Sequence, residues 1–169
     1  MKKILIAIIF LGLSNNIYAK NLTVYTYDSF VSEWGPGTII EKIFEKKFDT
    51  DINFIAVDSA ATLLNKIILE GTSTKADIVL GLDMNLLDSA EKTNLFENHK
   101  IKNLDEKLEL PINWMSEKFV PYNYGYFAFV YNNKKFINAP KSMKELINNT
   151  DARIVIQDPR TSSPGLGLL

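Results

Sequence analysis

Cysteine is absent, which removes disulfide scaffolds, thiolate metal sites, thiol nucleophiles and a lipid-bearing N-terminal Cys. A single histidine, His99, excludes a His cluster for zinc or iron within the chain; it lies in an irregular polar stretch and reads as a surface residue. Arginine is scarce: 17 Lys stand beside 2 Arg, so only Arg153 and Arg160 could grip an anion with a bidentate fork. Excess charge of either sign is missing too, with 19 basic and 20 acidic residues and a formal net charge of −1. A nucleic-acid binder ordinarily shows a basic excess or stripe, so no nucleic acid is expected as a partner. What remains is 46% apolar and 23% charged over 169 residues, enough for a packed core and too apolar for disorder. That length suits one ordinary domain or part of a larger protein.

The N-terminus reads as an address. Lys2 and Lys3 precede an uncharged apolar run from Ile4 to Leu13, then polar Ser14 to Asn16, then Ile17-Tyr18-Ala19. Basic, apolar and small residues in that order mark a secretory signal over residues 1–19, with cleavage expected after Ala19. The run is too short to span a bilayer, which takes about 20 apolar residues. With no Cys for lipidation, export to the periplasm fits best.

Leu22 to Tyr27 reads as a first strand and Asp28 to Gly37 as a loop. Ile39, Ile40, Ile43, Phe44 and Phe48 recur at helical spacing. Ile52 to Val57 reads as a second strand, and Leu63, Leu64, Ile67 and Ile68 as a helix face ending near Gly71. Ala76 to Leu82 is a continuous apolar run, the mark of a strand covered on both faces. Leu86, Leu87, Ala90 and Leu95 suggest a third helix. This alternation predicts an α/β fold with a parallel sheet and right-handed crossovers. Phe119 to Tyr122, Tyr126 to Tyr131 and Arg153 to Gln157 read as further strands, the second a central crossing strand, apolar on both faces. Ser142 followed by Glu145 predicts a capping box on a helix to Ile147. The run Pro164 to Leu169 reads as the first turns of an apolar helix without a stop signal, suggesting a continuation.

Two constellations stand out. Asp158 to Gly165 (DPRTSSPG) leads a strand through three hydroxyl residues to Pro, favoured at a first helical position. Such a loop suits a phosphate or carboxylate, or simply a Ser N-cap, since capping prefers the same residues. Tyr27 and Asp28 fall at a strand's carboxyl end, where ligands of open parallel sheets sit; together they suit an organic cation, unless Tyr27 packs in the core and Asp28 caps a turn. For catalysis the search is thin. Ser89 and Lys92 match a serine-x-x-lysine pattern at chance level, and no GxSxG elbow, P-loop or zinc helix is present. No enzyme and no cofactor are expected.

The strings LTVYTYDSF with WGPG, LLNKIILEG with KADIVLGLDMNLLD, FVPYNYGYFAFVYNN, and QDPRTSSPGLGLL together resemble thiamine-binding periplasmic proteins of ABC transporters, from about Leu22 to Leu169. The resemblance implies a two-lobed periplasmic-binding-protein fold (type 2), with 20–118 as a first lobe and 119–169 as crossing strands and the start of a second. It implies a monomer that closes on thiamine or thiamine phosphate and presents it to an inner-membrane ABC permease. Carried over by position, the ligand-binding residues are Tyr27, Ser59, Ala60, Thr161, Ser162 and Ser163, the last three at the hydroxyethyl or phosphate end. Ser59-Ala60 stands where the family usually has Asp-Gly, which loses a carboxylate although Asp58 is adjacent. The family chain is about twice as long, so this one is expected to be truncated. The absent half supplies the aromatic residues that sandwich the thiamine rings. Ferric iron or a polyamine is the alternative solute on the same fold. Iron sites of this kind use paired tyrosines, and no two tyrosines adjoin here; Asp28, Asp58 and Asp83 keep a polyamine open.

Overall fold

The computed structural model describes residues 20–109, 113–149 and 153–169; the expected signal segment lies outside them. Strand β1 (Lys20–Tyr27) runs into a short helix α1 (Asp28–Val31), and α2 (Gly37–Phe48) returns the chain to β2 (Thr50–Val57). Helix α3 (Ala60–Glu70) then leads to β3 (Ile78–Val79). The three strands are parallel in the order β2-β1-β3, with Lys20 beside Thr50, Tyr27 beside Val57, and Val24 beside Ile78. β1 is therefore central, and its middle residues Val24, Tyr25 and Thr26 are buried. Short helices α4 (Leu87–Lys92), α5 (Leu104–Lys107), α6 (Met143–Asn148) and α7 (Ser163–Leu168) follow.

The two faces of β1 are packed differently. Tyr25 meets Leu63 and Ile67 of α3, with Ile55, Val57, Val79, Leu82 and Phe96 around them. Its hydroxyl donates to Glu70 at 3.3 Å, and Lys66 Nζ lies 4.9 Å from the ring centroid. Glu70 also accepts from Lys66 Nζ at 2.6 Å and Thr74 Oγ1 at 2.9 Å. The Lys66 ammonium, first among these, holds the Glu70 carboxyl below the usual carboxylate range. A folded-state value below the unfolded one means the contribution is complete above the unfolded carboxylate pKa of about 4.3 and fades as pH falls through the folded value. Urea midpoints should therefore drop in that acid window, and Glu70→Gln should flatten the drop; an unchanged acid profile would contradict this role.

On the other face Thr26 is completely buried, and its Oγ1 has no hydrogen-bond partner among the described residues. A buried hydroxyl left unpaired costs about 1–3 kcal/mol. Thr26→Val keeps the branched shape and should raise the unfolding free energy by roughly 1 kcal/mol in urea titrations; a loss of stability would show that the hydroxyl is satisfied.

Four expectations are corrected here. The run Ala76–Leu82 yields only a two-residue strand at the edge of this sheet, and Ile78 is 45% exposed, so the run is not a strand covered on both faces. Helix α2 forms where expected and packs on β2, yet Ile39, Ile40, Ile43 and Phe48 stay exposed. Phe119–Tyr122, Tyr126–Tyr131 and Arg153–Gln157 are not strands. Strand structure requires a neighbour to receive the ladder bonds, and no backbone hydrogen bond joins these stretches to another described segment. His99 is half-buried rather than a free surface residue: Ile101 N–H donates to Nδ1 at 2.9 Å, so Nε2 carries the proton and faces the Ser116 carbonyl at 3.2 Å. The Ser cap expected at Ser142 forms, its Oγ accepting from Glu145 N–H at 3.1 Å, while Glu145 reaches back one residue further than a capping box requires, accepting from Lys141 N–H at 2.8 Å.

Candidate functional site

A parallel sheet places all its carboxyl ends on one edge, and three loops leave from that edge here. Tyr27 closes β1, and Asp28 opens α1 in an exposed position. Ser59 follows β2 and caps α3, its Oγ accepting from Thr62 N–H at 3.2 Å. Ala60 begins that helix and is buried. Beyond β3 the chain turns at Gly81, whose φ of +111° suits only glycine, and whose Cα faces the Tyr27 ring so closely that a Cβ would lie 2.2 Å from Cδ1. The Tyr27 ring is thus laid across the segment that ends in Asp83.

Asp83 ties in the hydroxyl loop. Its Oδ1 accepts from Asn85 N–H at 2.9 Å, and its Oδ2 accepts from the Ser163 hydroxyl, 80 positions further along the chain. Two of the predicted regions, Tyr27 and Thr161–Ser163, are therefore brought to the same Gly81–Asp83 turn. Ser162 fills the capping role: Oγ accepts from Gly165 N–H at 3.2 Å while its own proton goes to Gln157 Oε1. Thr161 is exposed. Arg160 is not a free anion fork, since Nε and Nη2 both donate to Asp158, at 2.9 and 2.5 Å. That guanidinium holds the Asp158 carboxyl below its ordinary value.

Residue spacing missed Tyr122 as a neighbour of this site. Its hydroxyl lies 2.7 Å from that of Tyr27, and both rings set edges against Phe30, with centroids 6.4 and 5.9 Å away. Partial burial first, then the Tyr27 hydroxyl, pushes the Tyr122 phenol well above its usual range. Two tyrosines far apart in sequence are thus paired in space, which the absence of adjoining tyrosines had not suggested. For the Tyr27 approach, Gly81 was the legible signal, because a glycine inside an apolar strand run marks a close approach. An open depression of about 740 Å³ beside α6, lined by Tyr131, Ile137, Pro140, Lys141 and Glu145 among others, contains none of the predicted site residues.

Chemically, the edge offers an aromatic face at Tyr27, exposed carboxylates at Asp28 and Asp58, and hydroxyls at Ser59 and Thr161–Ser163. That set can hold a small organic cation with a hydroxyl or phosphate tail. Among the described residues no group of three His, Asp or Glu side chains is arranged to hold a metal ion.

Comparison with known proteins gives the family of the chain. The chain is 49% identical over 149 residues to the thiamine-binding periplasmic protein of Salmonella typhimurium, covering 88% of this chain and 45% of the relative. It is 50% identical over 161 residues to that of Brucella abortus, covering 94% and 48%. A solved periplasmic thiamin binding protein superposes with a TM-score of 0.78 at 48% identity, over 88% of this chain and 46% of that one. The chain spans about half the length of the curated relatives it matches. Residues 73–169 match the family described as bacterial extracellular solute-binding protein. With more than half of its residues matched and the parallel sheet in place, the chain belongs to the bacterial extracellular solute-binding proteins.

Proposed function

We propose that this chain carries the first-lobe half of a thiamine site in a periplasmic binding component of an ABC importer, without catalysis. The observation that supports it most is the meeting of the Tyr27 ring and the Ser163 hydroxyl at the Gly81–Asp83 turn, within a chain about half identical to thiamine-binding relatives. In this reading 1–19 direct export, 20–118 form the first lobe, and 119–169 begin the second. Tyr27 faces the cationic ligand, Ser59 and Ala60 line the loop after β2, and Thr161, Ser162 and Ser163 receive the hydroxyethyl or phosphate end. An inner-membrane permease takes the ligand from the closed protein.

The test is tryptophan fluorescence, through Trp34 and Trp114, in this chain joined to the remaining portion of the Salmonella relative. Quenching by thiamine is expected. A response to ferric iron or spermidine with none to thiamine would overturn the reading.

Replacing Ser162 and Ser163 together by Ala in the same joined protein tests the phosphate end. A hydrogen bond to a charged group is worth about 1.5–3 kcal/mol, so thiamine phosphate should weaken by roughly tenfold or more. Thiamine should weaken less. Loss of the Ser162 cap costs roughly 1 kcal/mol in stability whichever ligand is present, so the difference between ligands is the readout. Equal losses would assign both serines to capping and to Asp83 alone.

A further inference from the structure

Tyr27 ends β1 half-buried, and three contacts bear on its ring. Gly81 lies so close that a Cβ there would meet Cδ1 at 2.2 Å. The buried Phe30 ring stands edge-on to it, with planes at 68°. At the far end its hydroxyl shares a hydrogen bond with the Tyr122 hydroxyl at 2.7 Å. The first two are van der Waals contacts, which limit how far the ring can swing but leave it room to tilt. A hydrogen bond has a preferred distance and direction, so it fixes the tilt that the others only bound. Tyr122 is itself held for this task, because its ring stands at 90° to Phe30. Phe30 touches both rings and the two hydroxyls close the third side of the triangle.

An organic cation is attracted to the face of a tyrosine ring only while it lies over that face. A ring that tilts freely must be ordered again when the ligand arrives, at a cost in affinity. We propose that Tyr122 is a positioning residue for a cationic ligand: its hydroxyl holds the Tyr27 ring in the tilt that presents a face to the ligand's positive ring, and Tyr122 itself does not touch the ligand. This rests on the reading of Tyr27 as a thiamine contact. The pair then acts on the ligand's charge more than on its shape.

The test uses the joined protein described above with thiamine and with its neutral analogue, in which a thiophene replaces the thiazolium ring. Tyr122→Phe keeps the ring on Phe30 and removes only the hydroxyl. It should weaken thiamine by about three- to tenfold, the ordering of one side chain, and leave the analogue within about twofold. Tyr27→Phe breaks the same hydrogen bond from the other side, so adding Tyr122→Phe to it should weaken thiamine no further. Without ligand, the NMR order parameters of the Tyr27 ring C–H bonds should fall in Tyr122→Phe. Unchanged order parameters overturn the proposal, as does an unchanged thiamine affinity in Tyr122→Phe. Equal losses for the two ligands also overturn it, because a merely structural role weakens both alike. No thiamine binding by the unsubstituted joined protein instead overturns the reading of the site, and the proposal with it.

Discussion

Phe30→Ala is expected to lower the unfolding free energy by about 3–5 kcal/mol, the range for deleting a buried aromatic ring. The Phe30 side chain is 1% exposed, although it belongs to a helix of only four residues. Its ring meets Tyr27, Phe54 and Tyr122 edge-on, with centroids 5.9, 5.8 and 6.4 Å away. One side chain thus joins the end of β1, the middle of β2 and the crossing segment. Each edge-to-face pair adds roughly 0.5–1.5 kcal/mol beyond area burial. A small domain holds only about 5–15 kcal/mol in total, so the variant should be near its unfolding threshold. The Tyr27 and Tyr122 hydroxyls should also lose their fixed separation, which a changed tyrosine absorbance in the folded variant would report. Urea denaturation decides the first point; a loss under 1 kcal/mol would mean the three rings repack without Phe30.

Thiamine should bind the 169-residue chain about a thousandfold more weakly than it binds the Salmonella relative, measured by isothermal titration of both. If the aromatic residues that sandwich the ligand rings come from the half not covered here, two aromatic faces over an organic cation are absent. Each is worth up to about 2 kcal/mol when desolvated, and roughly 4 kcal/mol is close to three decades in affinity. In the proposed site the remaining edge also stands open to water, which would weaken polar contacts from Tyr27 and the hydroxyl loop. Comparable affinity in the two proteins would place the whole site within residues 20–169 and refute the sandwich.

Much of the first half was readable because its signals are local. The alternation of Leu22–Tyr27, α2, Ile52–Val57 and α3 follows from period and β-branching, and the parallel order from crossovers too long for hairpins. Ser142 with Glu145 foretold the cap of α6 for the same reason. The exposure of Ile78, of α2's apolar face and of Tyr126–Tyr131 was not readable, because apolar periodicity says a face seeks cover and not whether cover is at hand. Site residues divided along the same line. Tyr27 and the hydroxyl loop follow from chain position at strand and helix ends, whereas Tyr122 reaches Tyr27 across 95 positions and Ser163 reaches Asp83 across 80. No spacing rule sees such pairs; the glycine at position 81 marked only its own close approach to Tyr27.

The strand order also sets a timetable for folding. β1 is the first strand to be synthesised and the one both others need, yet Val24 finds Ile78 only 54 positions later. Until Val79 has emerged, β1 has one partner and a bare edge. From then on the whole three-stranded sheet lies within the first half of the chain, with its contacts short in sequence compared with those of Tyr122 and Ser163. Short loops close faster than long ones, and domains assemble N-terminal first. The Gly81 turn and the Tyr27 ring are therefore in place before the hydroxyl loop exists, so the later residues dock onto a finished edge instead of building it.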